Sequence, residues 1–132
     1  MSNIDPTAVA KTLRQLRKAV ESSKGDLGSM PFFVRPMVKR GFERRTGRSF
    51  DAWLELIASL IVAVENGSIS SAQGLTKAYP ELPRQLSALA PNFRTAPERA
   101  KRGMSGKALD EVSKRSAERA SVVDETCSVL GL

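Results

Sequence analysis

The spacing of its apolar residues predicts an all-α protein: a compact bundle of five or six helices in one domain over residues 1–132, ending in a long C-terminal amphipathic helix. Three observations carry this prediction. Apolar side chains recur three and four positions apart along most of the chain, the period of a helix with one buried face. No stretch alternates strongly as a half-buried strand would. Cap and stop residues bracket the periodic segments. At 132 residues and 41% hydrophobic, the chain can build one core without disulfide or metal staples. With one Trp, one Tyr and five Phe, that core is largely aliphatic.

Asp5 followed by Pro6 is an N-cap with proline at the first helical position. Val9, Leu13, Leu16 and Val20 then form a narrow apolar stripe, with Lys11, Arg14 and Lys18 on the opposite side. The helix should stop within 21–29, where Gly25 and Gly28 supply a loop. In the basic segment 31–48, Val34, Val38 and Phe42 fall at i, i+4 and i+8, and Arg40, Arg44 and Arg48 make a parallel ladder. Pro36 and Gly41 each disfavour helix, so one irregular or broken helix is expected.

The core helix spans about 49–66, with Ser49 as cap, Asp51 at the positive end of the dipole and Asn66-Gly67 as stop. Phe50, Trp53, Ile57, Leu60 and Val64 share one face that Leu54 and Ile61 widen, so this helix should be surrounded by others. Ser70 or Ser71 can cap a short helix through Ala78, and Pro80 separates it from a second piece edged by Leu82, Leu86 and Leu89. The segment 91–106, with two prolines and two glycines, reads as a loop with one helical turn after Thr95. From about 105 to 130, Leu109, Val112, Ser116, Ala120, Val123, Cys127 and Leu130 mark the terminal helix. It should pack on 49–66 or across a subunit interface.

The formal charge of +7 is segregated. Residues 31–48 hold six basic side chains against one acid, and 94–107 hold five against one, while 49–93 and 108–132 are each slightly acidic. The sequence has no histidine and one cysteine, so Ser-His-Asp and Cys-His catalysis lack their base, and a zinc site lacks its usual ligands. There is no GxxxxGK[ST] or GxGxxG phosphate loop. Asp51 and Glu55, Asp110 and Glu111, and Asp124 and Glu125 have structural explanations. A non-enzyme without a cofactor is expected. Cys127 suits a small core position. The start lacks a secretory pattern and 53–64 is too short for a membrane span, so an intracellular protein, or one within a nucleoprotein particle, is expected.

Clustered cations point to a polyanion, because each neutralised phosphate releases condensed counterions and arginine forks onto phosphate oxygens. The candidate contacts are Arg35, Lys39, Arg40, Arg44, Arg45 and Arg48 in the first block, then Arg94, Arg99, Lys101 and Arg102 with Lys107 nearby. Lys11, Arg14 and Lys18 add a third, weaker group. Gly41 and Gly47 would let backbone approach a phosphate, and Phe42 or Phe93 could stack a base, although Phe42 also fits the core. The expected protein binds DNA or RNA mainly through the backbone and works as a homo-oligomer, as a nucleoprotein or viral coat subunit does, with the C-terminal helix as a candidate assembly surface. Two alternatives stand beside it. One is a bacterial or phage regulator that uses 68–90 as a helix-turn-helix with Arg84 and Gln85 as readers. The other is a protein-interaction module whose cations form only a solvated surface.

Overall fold

The computed structural model describes residues 4–132. These are all-helical, with seven α-helices where five or six were expected: α1 Pro6–Gly25, α2 Arg35–Thr46, α3 Phe50–Glu65, α4 Ala72–Ala78, α5 Leu82–Arg94, α6 Ala96–Ala100 and α7 Gly106–Leu130. A 3-10 turn, Asp26–Ser29, follows α1.

Local chemistry sets most boundaries. Asp5 Oδ1 accepts from the Thr7 N–H at 3.1 Å, and Pro6 opens α1. Ser49 Oγ caps α3 through the Ala52 N–H at 3.1 Å, and Ser71 Oγ caps α4 through the Gly74 N–H at 3.0 Å. The basic segment forms one regular helix, not a broken one. Pro36 sits in its first turn, where no intrahelical N–H bond is required. Gly47 ends it with a left-handed φ of 86°, so Arg48 lies beyond the helix and leaves the ladder of Arg40 and Arg44.

Residues 91–94, expected as loop, continue α5 through Pro91. Pro91 is exposed, and so is Ser87, whose carbonyl the missing N–H would have met; water can serve it. The single turn expected after Thr95 is α6.

Packing is organised around α1. Its buried set adds Ala10, Thr12 and Ala19 to the expected stripe of Val9, Leu13, Leu16 and Val20, which spreads burial over about half the circumference. Helix α1 packs on both α3 and α7, and α7 packs in turn on α5 and α6. The terminal helix therefore rests mainly on α1 and α5, not on α3 as expected. Helix α3 is also less enclosed than its composition suggested: Trp53, Ile57 and Leu60 are buried, but Val62 is 61% exposed. Exposed ion pairs, Arg14–Glu65 and Lys24–Asp51, join the middle and the C-terminal end of α1 to opposite ends of α3. A nearly buried Arg119 joins α7 to α1, reaching Asp26 at 3.0 Å and Ser22 Oγ at 2.7 Å. Among the described residues no helix is long and apolar enough to cross a membrane.

The corner between α2 and α3 is built from four buried residues. The Phe42 and Phe50 rings stack with centroids 3.8 Å apart and planes 6° from parallel. Thr46 Oγ1 lies 2.9 Å from the Phe42 carbonyl and 3.0 Å from the Arg48 carbonyl, which share its single proton. The same oxygen accepts from Trp53 Nε1 at 3.0 Å. Thr46→Val keeps the shape but leaves the buried indole N–H without an acceptor, so it should cost about 1–3 kcal/mol in urea unfolding. Ser116 is the opposite case: its buried hydroxyl has no hydrogen-bond partner among the described residues. Ser116→Ala should therefore raise stability by about 1 kcal/mol in the same experiment.

Candidate nucleic-acid interface

Helix α5 presents two kinds of buried residue. Leu82, Leu86, Leu89 and Phe93 face the core, while Gln85 and Asn92 lie seven positions apart along one edge. Seven residues are close to two turns, so these amides sit on one line about 10 Å long, facing α2. Arg48 Nε donates to Gln85 Oε1 at 2.7 Å, and Arg45 Nε donates to Asn92 Oδ1 at 2.7 Å. From α6 the second basic block reaches the same point: Arg99 Nη2 donates to the Asn92 carbonyl at 2.7 Å and lies 3.5 Å from its Oδ1. Arg99 Nη1 is held by Thr95 Oγ1 at 2.7 Å.

Both glycines of the basic segment serve this seam; Gly41 is buried, so its backbone is closed to a phosphate, whereas Gly47 is exposed. A Cβ on Gly41, which is buried, would come within 2.8 Å of Arg45 Nη1. A Cβ on Gly47 would meet Gln85 Nε2 at 3.1 Å. Gly41 leaves room for the guanidinium, and Gly47 combines a left-handed turn with space for the amide.

The result is a group of arginines drawn from both basic blocks: Arg45, Arg48 and Arg99 are anchored on neutral oxygens, and Arg44 stands exposed beside Arg45. None of the four forms an ion pair among the described residues. Partial burial pushes the Arg45 and Arg99 guanidiniums below the ordinary arginine value, and repulsion adds to it, from Arg44 on Arg45 and from Arg45 on Arg99. Both stay cationic at neutral pH. Because Arg45 and Arg48 are held through Nε, their outer N–H groups remain available to an anion, as they do not when arginine forks onto a carboxylate.

The other expected contacts divide. Arg40 and Arg44 are exposed on the outer face of α2. Lys39 is also exposed, but about 100° round the helix from Arg40, and it lies near Asp51, whose carboxyl is held below its usual range by the Lys24 hydrogen bond and charge, with Lys39 adding to it. Arg102 is exposed beyond α6. Arg35 is engaged by backbone, its Nε on the Met30 carbonyl at 3.1 Å and its Nη2 on the Gly28 carbonyl at 3.3 Å. Arg94 pairs with Asp124, Lys101 with Glu98 and Arg14 with Glu65. Lys11 and Lys18 are exposed on α1, which packs on α3 and α7 and stands apart from the seam.

Phe42 and Phe93 are each 2% exposed, so neither can stack a base. The exposed aromatics are Phe32 and Phe33, which the sequence reasoning passed over. Their signal was available: a Phe-Phe pair between Pro31 and Pro36, outside the apolar period of Val34, Val38 and Phe42. The helix-turn-helix readers are also engaged, since Gln85 is buried on Arg48 and Arg84 pairs with Glu81. Cys127 packs half-buried against the core, and burial together with Asp124 raises its thiol pKa, so it stays protonated at neutral pH. Among the described residues no group of three or more His, Cys, Asp or Glu side chains comes together to hold a metal ion.

Neither a protein-family model nor a curated protein nor a solved structure matches the chain.

The seam's energetics can be checked directly. Asn92→Asp turns a neutral acceptor into a carboxylate facing Arg45 and Arg99, and charge-assisted bonds are roughly twice as strong as neutral ones. The thermal midpoint should rise by the several degrees that about 1 kcal/mol produces. A fall would mean that desolvating the new carboxylate outweighs its pairing.

Proposed function

We propose that the chain is a non-enzymatic nucleic-acid-binding protein that contacts mainly phosphates and works as an oligomeric nucleoprotein or coat-type packaging subunit. One observation carries this reading: Arg45, Arg48 and Arg99 gather from two distant basic blocks on neutral groups of α5, with Arg44 beside Arg45, and none of the four is ion-paired among the described residues. Gathering like charges opposes folding unless something offsets it. Neutral anchors fix Arg45, Arg48 and Arg99 while leaving their charge uncompensated, which suits a ligand that arrives with its own negative charge. Nucleic-acid backbone supplies such charges at regular spacing.

A sequence-reading regulator is less favoured, because a buried Gln85 cannot reach a base edge. Contacts limited to phosphates predict tolerance of sequence, as packaging requires. Assembly is the second half of the reading. Helix α7 packs on α1, α5 and α6 and buries Ser116, Ala120, Val123 and Leu130, while Leu109 and Val112 stay partly exposed, so contacts between copies would use that end of α7, another face or the nucleic acid itself.

Binding to unrelated DNA and RNA oligonucleotides over a salt series, with particle size followed in the same samples, tests both halves. The wild-type protein should lose affinity steeply with salt and form large particles with long nucleic acid. The double variant Arg44→Glu, Arg48→Glu should weaken binding evenly across sequences and lower the log–log salt slope by about 0.7–0.9 for each phosphate no longer neutralised. The same reversal at Lys11 and Lys18 should have much less effect. Absence of salt-dependent binding at low ionic strength would return these arginines to an ordinary solvated surface.

A further inference from the structure

The largest exposed apolar side chains cluster at the N-terminal end of α2. Phe32 is 79% exposed, Phe33 72% and Met37 62%. The two rings meet edge to face, with centroids 5.8 Å apart and planes at 87°. They stand on a tight turn in which the Val34 N–H donates to the Pro31 carbonyl at 3.0 Å. Arg35 ties the start of α2 back to the Met30 and Gly28 carbonyls across this turn. Two prolines, Pro31 and Pro36, further restrict the backbone. The pair is thus held in place by hydrogen bonds that do not use the rings.

Met37, Arg40 and Arg44 follow at helical spacing on the same exposed face of α2. At 12 residues this helix is on the order of 18 Å long. At its far end lie Arg45, Arg48 and the Arg99 contact. Aromatic faces at one end and a line of cations leading from them make a track. A lipid surface would be met best by cations ringed around an apolar tip in one plane. A chain of alternating bases and phosphates is met best by a line.

We propose that Phe32 and Phe33 are a base-stacking platform, and that the ligand of this face is single-stranded nucleic acid, its bases on the rings and its phosphates along Arg40, Arg44 and the arginine seam. This rests on the phosphate-binding reading above and narrows it. Aromatic stacking needs a base face that is free, which unpaired strands offer and a continuous duplex does not. Because every base has such a face, the platform adds affinity without demanding a sequence.

The test compares Phe32→Ala, Phe33→Ala with wild type on a single-stranded oligonucleotide and on a duplex of the same length, at one salt concentration and then over a salt series. Both residues are exposed, so circular dichroism should be unchanged. Single-strand affinity should fall about tenfold or more, while duplex affinity and both salt slopes stay as they were. As an independent readout, Phe33→Trp should retain single-strand affinity and show indole quenching on binding, against the constant background of buried Trp53. Unchanged single-strand affinity with salt-dependent binding intact would overturn the platform and leave phosphate binding standing. An equal loss on both ligands would also overturn it. If the double variant instead abolished binding to phosphatidylglycerol vesicles, or dissolved a dimer seen by sedimentation, the rings would serve a membrane or a second copy. No salt-dependent binding by wild type would remove both proposals together.

Discussion

The buried corner where α2 turns into α3 is the constraint on which the presentation of the basic helix depends. Helix α2 buries only Gly41, Phe42 and Thr46, too little apolar area to hold a helix by its own hydrophobic face. What fixes it is the Phe42–Phe50 stack, the Thr46 hydroxyl bridging two carbonyls and the Trp53 indole, and the two amides of α5. These contacts are specific in direction, so they set the rotation of α2 about its axis. Once that rotation is set, Phe42 must point inward and Lys39, Arg40 and Arg44 must point outward. The charge pattern on the surface therefore follows from hydrogen bonds and stacking in the interior.

What the sequence made legible was whatever depends on neighbours in the chain. Asp5, Ser49 and Ser71 cap helices because a side-chain oxygen two or three residues upstream can reach a free N–H, and no distant partner is involved. The errors share a cause: local rules state a cost, but tertiary position decides whether the cost applies. Pro91 should break a helix, yet it faces water together with Ser87, so the orphaned carbonyl is served. Gly41 should weaken a helix, yet a Cβ there would displace Arg45. Ala10 and Ala19 were too small to register in an apolar stripe, and they give α1 the breadth to serve two neighbours.

The candidate interface was half legible for the same reason. Charge blocks are visible in composition, and both contribute to the seam. The residues that join them, Gln85 and Asn92, are neutral, lie in a slightly acidic stretch and meet arginines 37 and 47 positions away. No local pattern marks such a pair. Equally hidden was the removal of cations from the exposed set: Arg14, Arg94 and Lys101 find acids, and Arg35 finds carbonyls. Ion pairs between exposed side chains contribute little to stability, but they do decide which charges remain uncompensated.

Neutral anchors also determine how the seam responds to acidity. An arginine paired with a carboxylate, or a site built on imidazole, changes its net charge somewhere between pH 3 and 8. Here the chain has no histidine, and Arg45, Arg48 and Arg99 rest on amide, carbonyl and hydroxyl oxygens that do not titrate. Even lowered by burial, guanidinium keeps its proton across that interval. The seam is in effect a permanent charge. Acidification of a compartment cannot switch that charge off, so an anion bound there would be released by ionic strength, by a competing polyanion, or by movement of α2 away from α5.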